Sequence, residues 1–220
     1  MPLHDDGSGR WRMGSGRTGG HAWQWGRTAH TRGVLLQAAR EVFGEHGYSE
    51  SGVAEVVGRA GSSVGSLYHH FGGKAGLFLA LWEDYQAAQE QSAIAAVASA
   101  RGDGEQDGLA LFNLGARAFL EGSWQHRDLV RLFMDGDAPP GFELVRRTRG
   151  REWVRQNAVL LGAGSDPVDR VTVAVLTTAI GEASREVATC STKREANEVL
   201  EAALRLIRRL DPLDVADEET

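Results

Sequence analysis

Ser62, Ser63, Ser66, Tyr68, His69 and His70 fall within nine consecutive residues. Hydroxyl, phenol and imidazole groups all donate hydrogen bonds, and no carboxylate interrupts them. Such a set suits contact with an acceptor-rich surface more than it suits catalysis. A Ser–His–acid triad needs spatial proximity that no spacing here supplies, and no G-x-S-x-G elbow follows a strand. His69 and His70 are adjacent, so on a helix they face different sides and cannot share one metal. No H-x-x-x-H, C-x-x-C or G-x-x-x-x-G-K-[ST] pattern occurs, so neither a metal site nor a phosphate-cradling loop is expected, and no cofactor. Cys190 is the only cysteine; a buried structural thiol is the expected reading over a redox sensor.

The elements that must position these donors are short. Val53, Val56 and Val57 recur at helical spacing, and Gly52 with Glu55, or Ser51, can cap their helix. Gly61 breaks it. Ser63 can cap the next helix, whose inward residues would be Leu67, Phe71 and the ring of Tyr68. Two short helices around a Gly-containing turn form a helix-turn-helix, whose second helix enters a DNA major groove.

Before this pair, Leu35, Ala38, Ala39, Val42 and Phe43 make an amphipathic stripe on a helix expected from Thr31 to His46, with Gly47 at its end. Its N-terminus, at Thr31 and Arg32, would favour a phosphate. Phe43, Tyr48, Val53, Val57, Leu67 and Phe71 should form a shared core. From Leu35 through Ala38-Ala39, Phe43, Gly47-Tyr48, Val53 to Gly61, Tyr68-His69-His70-Phe71, Lys74 and Leu77, the residues closely resemble the DNA-binding domain of the tetracycline-repressor (TetR) family. The resemblance covers roughly residues 32 to 82. Gly73 and Ala75 depart from the family's Ser/Thr and Glu, a pair that caps the fourth helix.

The resemblance implies an all-α fold of about nine helices. It places a helix-turn-helix DNA-binding domain at 30–75 and a helical ligand-binding and dimerisation domain at 76–212. It implies double-stranded operator DNA as partner, a homodimer through the last two helices, and a small-molecule effector. Carried onto this sequence, the DNA-binding residues would be Thr31, Arg32, Ser51, Gly52, Ser62, Ser63, Val64, Gly65, Ser66, Tyr68, His69, His70 and Lys74. Helix three would read bases, while Ser51, Lys74 and the start of helix one would hold phosphates. The function so implied is a cytoplasmic transcriptional regulator, a repressor released by a small hydrophobic or aromatic ligand. The alternatives are a DNA binder without effector, and a helical small-molecule-binding or catalytic protein with a vestigial helix-turn-helix.

The rest of the chain bears on this reading. At 220 residues with 42% hydrophobic content, it can bury a large core. The net charge of −6 does not argue against DNA, because local patches decide binding. No apolar run is long enough for a membrane span, and no signal-peptide core opens the sequence. Residues 1–29, rich in Gly, Arg and Trp, read as a disordered basic arm. It is either functionless or a follower of the DNA backbone or minor groove. Residues 213–220 read as an acidic disordered tail.

Helices are expected at about Lys74–Ser99, Glu105–Trp124, Asp128–Met134 and Phe142–Leu161. Pro167–Thr189 is ambiguous, since Val171, Val173 and Val175 alternate like a strand, although its length favours helix. A last helix should start at a Thr192–Glu195 capping box and present Ala196, Val199, Leu200, Ala203, Ile207 and Leu210. Between helices four and seven, Phe78, Trp82, Phe112, Phe119, Trp124, Phe133, Met134, Phe142 and Trp153 would line a ligand cavity, with Asn157, Gln125 or His126 adding polar contacts. For each residue taken singly, core packing is the stronger reading. Arg146, Arg147, Arg149, Arg151 and Arg155 cannot all face inward on one helix. Most should therefore be a solvated face, around a cavity that prefers neutral or weakly polar compounds.

Overall fold

The computed structural model describes residues 19–210, with side chains described for 28–209; the expected acidic tail and most of the basic arm lie outside these limits. Among the described residues there are nine α-helices and no strand. They are α1 (Gly19–Glu50), α2 (Val53–Arg59), α3 (Val64–Phe71), α4 (Lys74–Gly102), α5 (Gly108–Gln125), α6 (Arg127–Met134), α7 (Phe142–Leu161), α8 (Pro167–Thr189) and α9 (Lys193–Leu210). The Pro167–Thr189 segment, ambiguous by its valine alternation, is helix.

α1 starts at Gly19, well before Thr31. Once a helix is nucleated, each further residue adds a hydrogen bond without a new nucleus, and no proline interrupts 19–30. The other end is as expected. Gly47 leaves helical geometry with φ 77° and ψ 175°, a left-handed φ that glycine adopts without Cβ strain. The buried Ser51 hydroxyl donates to the carbonyls of Val42 and Gly47, satisfying acceptors that the end of α1 leaves free.

α1–α3 close over Leu35, Ala39, Val42, Phe43, Val56 and Leu67, all buried, with Tyr48, Val53 and Phe71 packed against them. The same core continues along α4 through Leu77, Phe78, Leu81, Trp82 and Tyr85 into Leu129, Val130 and Phe133 of α6 and Phe142 of α7. A second core joins α5, α8 and α9 around Phe112, Leu120, Leu176, Val187, Leu200, Leu204 and Ile207.

α4 spans both regions. At 29 residues it is about 43 Å long. It begins at Gly73 without a side-chain cap, as the departure from the family pattern at that position implies. α9 begins with the expected reciprocal cap: the Glu195 amide donates to Thr192 Oγ1 at 3.2 Å, and the Thr192 amide donates to Glu195 Oε2 at 3.1 Å.

Candidate nucleic-acid interface and ligand cavity

The donors singled out from sequence sit on α3 and at its ends. The Ser63 hydroxyl accepts from the Ser66 amide at 3.1 Å, capping α3. Leu67 is fully buried, which turns the opposite face outward. Val64, Gly65, Tyr68 and His69 are exposed there, and Ser62, Ser66 and His70 are half-buried. Tyr68 does not turn its ring into the core: it is 55% exposed and lies over Gly73. The inward position one turn along from Val64 is filled by Leu67, so the phenol is left on the open face. The His69 and His70 rings are 5.2 Å apart, at 66° to each other.

The phosphate-holding expectations fare unevenly. Thr31 and Arg32 are interior to α1 and cannot offer free helix-terminal N–H groups. Arg32 stacks over Phe71 and lies 3.3 Å from Asp84. Ser51 is buried and its hydroxyl is committed to backbone carbonyls, so capping α1 replaces the expected phosphate contact. Gly52 is the extended N-cap of α2. Lys74 is half-buried, with its ammonium 3.0 Å from the Ser49 carbonyl and 4.5 Å from the Tyr48 ring.

Sequence reading missed what meets Ser49 from the other side. Asp137, in the α6–α7 loop, accepts from the Ser49 amide at 2.9 Å and from the Ser49 hydroxyl. These bonds hold its carboxyl below the usual carboxylate range. Further along, Arg40 of α1 forms a two-pronged pair with Asp128 of α6, at 2.6 and 2.8 Å. His126 beside it is pushed down by burial and by Arg40. Glu45, His46 and Glu55 bring their ligand atoms within 4.8 Å of one another on the surface. Arg59 already supplies a cation there, 2.6 Å from Glu45.

A cavity of about 720 Å³ opens among α4, α5, α7 and α8. Trp82, Phe112, Phe119, Met134 and Trp153 line it, as expected, and so do Gln86 and Asn157. Asn157 donates to Thr177 Oγ1 at 3.0 Å. Phe78, Phe133 and Phe142 do not line it. They stack edge-to-face in the core that joins the N-terminal helices to α6, with ring centroids 5.0 and 5.3 Å apart across Phe78. Trp124 lies outside the cavity, under the Arg127 guanidinium, and Gln125 and His126 also lie outside it.

Most of the α7 arginines are solvated, as expected, with Arg147, Arg151 and Arg155 exposed, but most of them also border the cavity. Arg146, Arg147, Arg149 and Arg151 all line the cavity, and Arg185 joins them. The space is open-sided, and long stems carry guanidinium groups around the helix to its rim. Between α4 and α5 lies a buried polar knot. Gln89 Nε2 lies within hydrogen-bond distance of the Tyr85 hydroxyl, the Phe119 carbonyl and the Ser123 hydroxyl, at 3.1, 3.1 and 3.2 Å, and shares its two N–H donors among them. Ser184 of α8 donates to Ser123 at 2.9 Å. Burial pushes the Tyr85 phenol up to about 12.

A capped second helix across a glycine turn, set on a long helical bundle that borders a cavity, defines a helix-turn-helix protein. Residues 35–81 match the model of bacterial regulatory proteins, tetR family. The HTH-type transcriptional repressor AcnR of Corynebacterium glutamicum is 42% identical over 55 residues, covering 25% of this chain and 29% of that protein. The HTH-type transcriptional activator FasR of Mycolicibacterium smegmatis is 50% identical over 50 residues, covering 23% of each. This chain thus matches less than a third of the length of these relatives. A TetR-like transcriptional regulator from Rhodococcus sp. RHA1 shares the fold with a TM-score of 0.63 at 20% identity, over 81% of this chain and 94% of that one. A TetR-family regulator from Pectobacterium atrosepticum does so with a TM-score of 0.55 at 25% identity, over 84% and 94%.

Proposed function

We propose that this chain is a homodimeric transcriptional regulator that binds operator DNA through α3 and is released by a small molecule held in the α4–α8 cavity. The observation that carries the reading is α3 itself. Ser63 caps it, Leu67 roots it, and Val64, Gly65, Tyr68 and His69 stand exposed with no carboxylate among them, as a helix that reads base edges requires. Similarity to AcnR supports repression. FasR, a transcriptional activator, is similar over a stretch of comparable length, so similarity of this extent does not fix the sign of regulation.

Two half-sites need two recognition helices, and α8 offers a surface for pairing. Val168, Val171 and Val175 lie along one stripe, 68%, 58% and 52% exposed in the single chain. The effector reading rests on the cavity and on Trp82, which places α4 in its wall. α4 starts beside α3, so a ligand that prefers one tilt of α4 shifts the spacing of the two recognition helices.

The test is selection of binding sites from random duplex DNA with the full chain, followed by a mobility-shift assay. The expected result is a palindromic site bound by two chains. Uniform, sequence-independent binding or none refutes it.

A further inference from the structure

We propose that the cavity takes an amphipathic anion: an apolar chain or ring system bearing a carboxylate or phosphate head. This rests on the effector reading above and departs from the neutral ligand that the sequence suggested. The deep wall is apolar, with Phe112, Phe119, Ile180 and Trp153 among its lining. The α7 side is cationic. Five arginines line the cavity against two glutamates, Glu143 and Glu182.

The ion pairs do not exhaust these arginines. Glu143 is shared by Arg146 at 3.7 Å and Arg147 at 3.3 Å. Arg151 has no carboxylate partner among the described residues; its guanidinium donates only to Thr148 Oγ1, at 3.2 Å. Arg149 is held at its two terminal nitrogens by Glu90 and Glu152. Its Nε is buried and has no acceptor among the described residues. A buried donor without an acceptor is rare in folded proteins, and Arg149 borders the cavity, where anionic acceptors pair with guanidinium more strongly than neutral ones. Guanidinium forks match carboxylate and phosphate alike, so the head-group chemistry is shared between them.

The experiment is calorimetric titration of the full chain with dodecanoate, dodecyl phosphate and dodecanol below their aggregation concentrations, with Arg151→Gln and Arg149→Gln in parallel. At least one anion is expected to bind one per chain, about tenfold tighter than dodecanol, a ratio that one charge-assisted hydrogen bond supplies. Arg151→Gln, at an exposed position that leaves the fold intact, should cut that preference several-fold while dodecanol affinity stays within about twofold. Equal binding of dodecanol and both anions overturns the charged head and leaves the effector cavity standing. Binding by none of the three overturns the anionic-amphiphile proposal, whereas the mobility-shift assay tests the regulator reading separately. An anion preference that survives both substitutions also overturns it.

Discussion

Gly122→Ala tests how α4 and α5 are locked. A Cβ at Gly122 would fall on Gln89 Oε1, and Gln89 is 1% exposed. The clash has two reliefs. Gln89 can leave, which takes its donor from the Tyr85 hydroxyl, at about 1–3 kcal/mol for a buried group left unsatisfied, while Ser123 still donates to the Phe119 carbonyl and accepts from Ser184. Or the helices can separate, an overpacking cost of about 1–3 kcal/mol. The cheaper route sets the outcome, so a loss of about 2–3 kcal/mol is expected, equivalent to a melting-temperature fall of roughly 4–12 °C in a chain of this size. The sign should reverse once Gln89 is gone. In a Gln89→Ala background the same Gly122→Ala change meets no side chain and gains about 0.5–1 kcal/mol of helix propensity. Urea unfolding of the four proteins closes a double-mutant cycle with coupling of about 3 kcal/mol. Equal effects of Gly122→Ala in both backgrounds would show that Gln89 does not fill the glycine's space.

Lys74→Ala should weaken binding to all duplexes about equally and reduce the salt slope by about one, while Lys74→Gln, which still donates to the Ser49 carbonyl, separates the lost charge from the lost hydrogen bond; unchanged affinity and slope in mobility-shift titrations would remove the phosphate role. Val171→Glu with Val175→Glu should leave a folded monomer by sedimentation and abolish operator binding, since these side chains leave the chain's own core free; a wild type that sediments as a monomer at micromolar concentration would contradict dimerisation. Val199 and Ala203 of α9 pack on the monomer core, so glutamate there should unfold the chain instead. Asp137 has a depressed carboxyl value, so its bonds to Ser49 stabilise the fold above the ordinary Asp range and are lost as pH falls through the lowered value. The Asp137 carboxyl carbon followed by NMR should titrate below an ordinary Asp, and Ser49→Ala should move it up; a carboxyl that titrates normally contradicts the contact.

Periodicity and caps made most of the fold legible. The α7 and α8 limits follow from Pro167, Gly141 and Gly162, and the Thr192–Glu195 box sits where its spacing puts it. The α1 start was not legible, because a glycine-rich stretch carries no stop signal against a helix already propagating. The cavity was half legible. An aromatic on an apolar stripe reads the same whether it packs on another ring, as Phe78 does, or borders open space, as Phe119 does. The Gln89 knot left no signal at all: Gly122 and Gln89 lie 33 positions apart on different helices, and either alone reads as ordinary helix content. Asp137 hid for the same reason, as one acid in a turn whose partner is far away in sequence.

Ser49 is gripped at both ends of its backbone. Its carbonyl takes the Lys74 ammonium of α4, and its amide gives to Asp137 of the α6–α7 loop. The joint between α1 and α2 therefore hangs from α4 and the α6–α7 loop like a hinge pin held in two brackets. The α6–α7 loop cannot travel and leave the joint behind without breaking the hydrogen bond from the Ser49 amide, and α4 cannot pivot at its start without tugging the carbonyl. α3 follows that pin within 15 residues of chain, although neither bracket touches its exposed face.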